Sequence, residues 1–223
     1  MTRTPNVYVT GDIHGAPERF KAPNIKRLRR GDTLIICGDF GFVWDGSKAE
    51  QRKLKKLGKL RFNLAFVDGA HENHTILNSY PITEWNGGFV HNISGRLFHL
   101  MRGQVYNISG KTIFALGGGE NPELNPKSET AEACLPSVDE LYEANKNLQK
   151  VDYIVDYVIT HECSGNVKGF LNMDDNSYNH LYAFLNDAAK VIDYKLWFFG
   201  CHHIDKIIPP KYIGVFKEVH LLA

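Results

Sequence analysis

The chain has 223 residues, 43% of them hydrophobic and 23% charged, with 26 Lys and Arg against 25 Asp and Glu for a formal charge of +1. That length and apolar share can bury one full core, so a single domain over 1–223 is expected, and the near-neutral balance excludes a global drive toward a polyanion. No apolar stretch approaches the roughly 18 residues of a membrane span and no short hydrophobic leader follows Arg3; with four widely spaced cysteines, the expectation is a soluble, cytoplasmic protein with reduced thiols and no membrane partner.

The first strand signal, Val7-Tyr8-Val9-Thr10, runs into Gly11-Asp12-Ile13-His14, and the second, Leu34-Ile35-Ile36-Cys37, into Gly38-Asp39. Ser47-Lys48-Ala49-Glu50 has the spacing of a capping box and opens a helix with Leu54, Leu57 and Leu60 on one side, Gly58 weakening its last turn. A third apolar run ends Phe66-Val67-Asp68-Gly69-Ala70-His71-Glu72. Glycines at 95, 103 and 110 break the stretch from Gly87 to Leu116 into hairpin-like runs, and Gly117 to Leu135, with prolines at 122 and 126, is expected to be a long loop or lid. Ser137-Val138-Asp139-Glu140 is a second capping box, leading into Leu141, Ala144 and Leu148.

Val158-Ile159-Thr160-His161 and Leu196-Trp197-Phe198-Phe199-Gly200-Cys201-His202-His203 are two further strands ending in possible ligands. Between them Leu181, Phe184, Leu185 and Ala188 mark a helix, with Asp174, Asp175 and Ser177 as possible caps, and Lys206–Ile208 and Ile213–Leu222 look like closing strands. The strand runs mostly do not alternate, as expected for sheets buried on both faces, and their interleaving with helices and meanders predicts an α/β fold with mixed sheets.

Five apolar runs ending in Asp or His predict a metal centre at a sheet rim, because unpartnered ionisable groups facing inward are costly. Asp12 and His14, two apart at a strand end, can point the same way and chelate one ion, and Asp39 can supply an oxygen shared by two ions. Carboxylates with imidazoles suit manganese, iron or zinc better than calcium, and the absence of paired thiols argues against a structural zinc site. Phe40, Phe42 and Trp44 read as core or as the lining of a pocket for a base or aryl group. The basic residues Arg19 to Arg30 and Arg52 to Arg61 read as solvated helix faces, with phosphate-rich or nucleic-acid binding the alternative. Arg102 reads either as a phosphate clamp or as a structural ion pair.

In order, Asp-x-His, Gly-Asp, Gly-x-His-Glu, a strand-end His and Gly-x-x-His resemble the calcineurin-like metallophosphoesterase superfamily, from Val7 to about Asp205. The resemblance implies a four-layer αββα sandwich of two mixed β-sheets flanked by helices. It implies a first ion held by Asp12, His14, Asp39 and His203, with Asp39 bridging to a second ion whose position keeps only Asp39 and His161. Ala70 stands where the family has a ligating Asn and Cys201 where it has a ligating His, so one tight site and a weak or absent second one are expected, with Cys201 as thiolate or His202 as possible replacement ligands. His71 would serve the leaving oxygen, oriented by Glu72. Hydrolysis of a phosphodiester or phosphomonoester, possibly of a nucleotide, by metal-activated water, with Mn²⁺ or Fe²⁺/Zn²⁺ as cofactor, is the implied activity. An inactive phosphoesterase-fold scaffold and a nuclease are the alternatives.

Overall fold

The computed structural model describes residues 3–121, 123–125, 127–173 and 179–223. In chain order the first elements are β1 (Val7–Thr10), a 3-10 turn (Pro17–Lys21), α1 (Pro23–Lys26), β2 (Thr33–Cys37), α2 (Lys48–Leu57), β3 (Asn63–Val67) and α3 (His74–Leu77). A meander follows: β4 (Ile82–Trp85), β5 (Gly88–Ser94), β6 (Leu97–Leu100), β7 (Gln104–Ile108) and β8 (Lys111–Leu116). The remainder is α4 (Glu129–Cys134), α5 (Val138–Gln149), β9 (Tyr157–Thr160), α6 (Gly165–Phe170), α7 (His180–Val191), β10 (Leu196–Phe199), β11 (Lys206–Ile208), β12 (Tyr212–Gly214) and β13 (His220–Leu222).

These strands form a 7-stranded sheet, ordered β13-β1-β2-β3-β6-β5-β4, and a 6-stranded sheet, ordered β11-β12-β10-β9-β8-β7. Strands β1, β2, β3 and β6 are parallel, as are β8, β9, β10 and β12, and the antiparallel members lie toward the edges. Period-two alternation sorts the apolar residues into layers. Val7, Val9, Ile35, Ala65 and Val67 face Ile113, Ala115, Ile159 and Phe198 between the sheets. On the other side of the first sheet, Leu34, Ile36, Leu64 and Phe66 pack with Leu54 and Leu57 of α2. On the far side of the second, Phe114, Val158 and Trp197 pack with Leu141 and Leu148 of α5 and Leu181 and Leu185 of α7. Both faces of each sheet are therefore apolar, which explains the non-alternating runs, and the result is the expected αββα sandwich. At about 1.5–3 kcal/mol for each fully buried large aliphatic or aromatic side chain, these three layers hold the fold and leave the strand ends free for polar groups.

Several local expectations are corrected. Ser47 Oγ does accept from Glu50 N, but the Glu50 carboxylate reaches past it to the amides of Trp44, Asp45 and Gly46, so of the two expected boxes the one at Ser137 and Glu140 is reciprocal. Asn179 caps α7, and Asp174, Asp175 and Ser177 lie outside the described residues. The Gly117–Leu135 segment contains α4, with Pro122 and Pro126 outside the described residues. Ile213–Leu222 is two strands: β12 joins the second sheet and β13 the first. No described helix is long and apolar enough to cross a membrane.

Candidate metal centre

Asp12, Asp39, His161 and His203 all follow the C-terminal ends of parallel strands, the rim where open α/β sheets present their loops to ligands. Asp12 and His14 converge for a different reason than strand alternation. β1 ends at Thr10, and His14 sits in the left-handed region at φ 48°, as do Asp39 at 40° and His203 at 50°. Such conformations cost about 1–3 kcal/mol in a residue with a Cβ and persist only where surrounding contacts enforce them. Here the Asp39 carbonyl accepts from the amides of both Ile13 and His14, at 3.0 and 2.8 Å, stitching the loops after β1 and β2 together. Glycine permits the crowding: a Cβ on Gly200 would stand 2.2 Å from Asp12 Oδ1, and one on Gly69 2.1 Å from Asp39 Oδ1.

Asp12, His14, Asp39 and His203 bring one donor atom each within 4.8 Å of one another. His14 Nε2 lies 2.9 Å from His203 Nε2, which lies 3.0 Å from Asp12 Oδ2, and His14 Nε2 is 3.6 Å from Asp39 Oδ2. Neighbouring donors on one ion, with bonds of about 2.0–2.1 Å, stand about 2.9–3.3 Å apart, so the spacing fits a shared cation. The Asp12 carboxylate supports this fit. It is 1% exposed, and neither oxygen has a hydrogen-bond partner, His203 Nε2 at 3.0 Å and His161 Nδ1 at 3.7 Å being charge contacts. A buried anion in that condition needs a cation.

Histidines supply part of that charge. Burial pushes the Asp12 carboxyl up, but His161 and His203 outweigh it and hold it below the ordinary carboxylate range. Asp39 is likewise raised by burial and lowered further by His161 and His71. His161, fully enclosed, is driven down by burial and carried well above its ordinary value by Asp39 and Asp12, 3.8 and 3.7 Å away. The Asp12 carboxylate, 3.0 Å away, raises His203, whereas burial lowers His14 despite both carboxylates.

The sequence of the calcineurin-like phosphoesterase family matches residues 5–205, most of the chain. The chain belongs to that family. Among solved structures, the protein of unknown function AQ665 from Aquifex aeolicus is similar at 15% identity over 85% of this chain and 88% of that one, with a TM-score of 0.38. No curated protein matches.

Family membership gives the remaining residues their context. His71, half-exposed, donates from Nδ1 to Asp39 Oδ2 at 2.7 Å and from its amide to Asp39 Oδ1 at 2.9 Å, and the side-chain bond raises its pKa. Because an ionised carboxylate only accepts, the tautomer follows, and Nε2 is left for other partners. Glu72 does not orient His71. Its two oxygens accept from the amides of Gly41 and Gly69, and burial, with Asp39 nearby, pushes its pKa up to about 8. Ala70 offers only its carbonyl, which accepts from Asn121 Nδ2.

Neither Cys201 nor His202 joins the Asp12 cluster among the described residues; both group with Cys163, one of the four widely spaced cysteines, 38 positions from Cys201 along the chain. The signal available was the block His161-Glu162-Cys163, a ligand type two places beyond a strand-end His. Arg102 is the ion pair rather than the clamp. Its guanidinium is buried, with Nε and Nη2 on Asp68 at 2.9 and 2.7 Å and the remaining donors on Glu140 and the carbonyls of Ala133, Cys134 and Leu135, so none is left for a phosphate. Phe40 and Phe42 are core, whereas Trp44 is exposed and lines a cavity with Glu72, Asn73 and His74. The Arg52 to Lys56 cations of α2 are exposed, the solvated face expected of them.

Proposed function

We propose that the chain hydrolyses a phosphate ester with the help of a divalent ion, manganese, iron or zinc, held by Asp12, His14, Asp39 and His203. The observation that carries this reading is the gathering of those four donors around a buried carboxylate that has no hydrogen bond of its own. An ion there would neutralise phosphoryl oxygens and lower the pKa of a bound water. The chain's own share lies with Asp39 and His71. Asp39 fixes the ring through Nδ1. His71, whose pKa that bond raises, would act as the imidazolium: it would give its Nε2 proton to the leaving oxygen as the ester P–O bond breaks, while the attacking water loses a proton to solvent and its oxygen bonds to phosphorus.

A second ion would have Asp39 and His161 but no donor from Ala70, and is therefore held weakly, so activity depends on added metal. A cavity of about 590 Å³ lined by Trp44 and by Glu72, Asn73 and His74, which follow His71 in the chain, would take an organic ester group of nucleotide size.

The test is hydrolysis of bis(p-nitrophenyl) phosphate and p-nitrophenyl phosphate across a manganese titration, in this chain and in Ala70→Asn. The expected outcome is metal-dependent turnover whose half-saturating manganese concentration falls in Ala70→Asn. No turnover in either chain, with no metal retained by elemental analysis, would reduce the protein to a scaffold.

A further inference from the structure

Cys163 follows the end of β9 by three residues, and Cys201 and His202 follow the end of β10 by two and three, so the parallel pairing of those strands brings the three together. Cys163 Sγ lies 3.5 Å from His202 Nε2, and the three donor atoms all fall within 4.8 Å of one another. Bonds of about 2.3 Å to sulfur and about 2.0 Å to nitrogen, at a tetrahedral angle, place the two donors about 3.5 Å apart. A thiol–imidazole hydrogen bond has a similar length, so this distance alone does not choose.

Two neighbouring observations do. Glu162, 7% exposed, has a buried Oε2 with no hydrogen-bond partner, and Ser164, fully buried on the other side of Cys163, has an unpartnered Oγ and makes no side-chain cap on α6. Buried polar atoms left without partners signal a missing ligand or ion, because each costs about 1–3 kcal/mol. Glu162, Cys201 and His202 all line one cavity of about 550 Å³, which gives an ion a way in.

We infer that Cys163, Cys201 and His202 form a second, soft metal site for zinc or a similar thiophilic divalent ion, with the Glu162 carboxylate facing the same cavity as the candidate fourth donor. The site is distinct in donor set from the Asp12 cluster. Both thiols lose their protons to solvent on binding, and the two thiolates neutralise the ion. Bound there, the ion ties the loop that carries His161 to the loop that carries His203, and so positions the hard site without contacting substrate. It also accounts for Cys201 grouping with Cys163 and His202 and not with the Asp12 cluster.

The deciding measurement is X-ray absorption on the full chain, reduced with a phosphine and loaded with zinc, alongside the visible spectrum of the cobalt form. The expected result is a shell of sulfur neighbours at about 2.3 Å from zinc, and a thiolate-to-cobalt charge-transfer band. That band should be lost in Cys163→Ser and kept in His14→Ala. A bound ion with only nitrogen and oxygen neighbours in the wild-type chain would overturn the inference, whatever the variants do. Ester hydrolysis without a sulfur shell would sink this inference alone. A sulfur shell without hydrolysis would sink only the reading of the Asp12 site.

Discussion

Two buried carboxylates stand at the ends of parallel strands of one sheet, with β2 between them, and have opposite surroundings. Asp68, after β3, is completely enclosed, and its oxygens are met by Arg102 through two donors, by His99 Nε2 at 3.0 Å and by His74 at 3.8 Å. Asp12, after β1, is equally buried, and its oxygens have no good hydrogen bond. Burial, which would raise the Asp68 pKa, is overwhelmed by Arg102 and His99, and the group lies well below the ordinary range. In sequence the two are alike, an acid beside glycine after an apolar run. What separates a carboxylate that builds the fold from one that holds an ion is whether its lone pairs are already taken.

The largest effect that would test this contrast is on turnover. Asp39→Asn, which removes the charge but keeps the size, is expected to lower kcat for bis(p-nitrophenyl) phosphate by about a thousandfold, the equivalent of about 4 kcal/mol of transition-state charge stabilisation. Activity within tenfold of wild type would mean that the Asp12 cluster is not where the chemistry happens. Asp68→Asn should do the reverse. It leaves Arg102 buried and short of an anion, so urea unfolding should show a loss of about 3–5 kcal/mol, whereas Asp12→Asn in metal-free protein should cost less than about 1 kcal/mol. Equal losses at the two positions would erase the distinction.

Much of this is legible in the amino-acid sequence. Val7–Thr10, Thr33–Cys37 and Leu196–Phe199 announce themselves by length and β-branched or aromatic content, and the Asp-x-His to Gly-x-x-His series locates the rim. Three features were hidden for physical reasons. The left-handed conformations of His14, Asp39 and His203 come from tertiary hydrogen bonds, above all those to the Asp39 carbonyl, which no local propensity encodes. The pairing of Cys163 with Cys201 depends on which strands are neighbours, so thiols that look isolated along the chain meet in space. Arg102 was undecidable alone, because a fork that fits a phosphate fits Asp68 equally well.

A smaller effect probes the shell around Asp68 by pH. Burial pulls His74 and His91 down to about 4, against 6.5 in an unfolded chain, and His91 faces His99 Nδ1 at 2.9 Å and, through it, Asp68. Between those values the unfolded chain binds protons that the native one refuses, so these two groups make stability rise with pH from about 4 to 6.5 and contribute nothing further above that. Glu72, raised to about 8, pulls the other way from 4.5 upward, so the variant difference is the clean readout. Removing one such histidine should flatten the slope by about 2 kcal/mol across the window. Urea midpoints of wild type and His91→Asn at pH 4.5 and 6.5 check it, and parallel profiles would contradict a neutral, buried His91.

The smallest effect belongs to Asp32, a third buried carboxylate, at the opposite end of β2 from Asp39. Its oxygens accept from the amides of Asn6 and Arg29 at 2.8 and 2.7 Å and from Arg3 at 2.6 Å. Burial raises its pKa, and the two backbone bonds followed by Arg3 more than reverse that, leaving it below the ordinary value. A depressed carboxylate stabilises the fold above the unfolded pKa of about 3.8 and loses that contribution as pH falls below it. Asp32→Asn keeps one acceptor and gives up the charge, which predicts a loss of about 1–2 kcal/mol at neutral pH that shrinks in acid, with kcat unchanged. The backbone partners make the difference from Asp68. Asn keeps an acceptor for one of the two amides and strands at most a neutral N–H, whereas Asp68→Asn strands a buried guanidinium charge. A loss at Asp32 as large as at Asp68, or any fall in turnover, would show that position at the rim, and not the state of the lone pairs, decides what a buried carboxylate does in this fold.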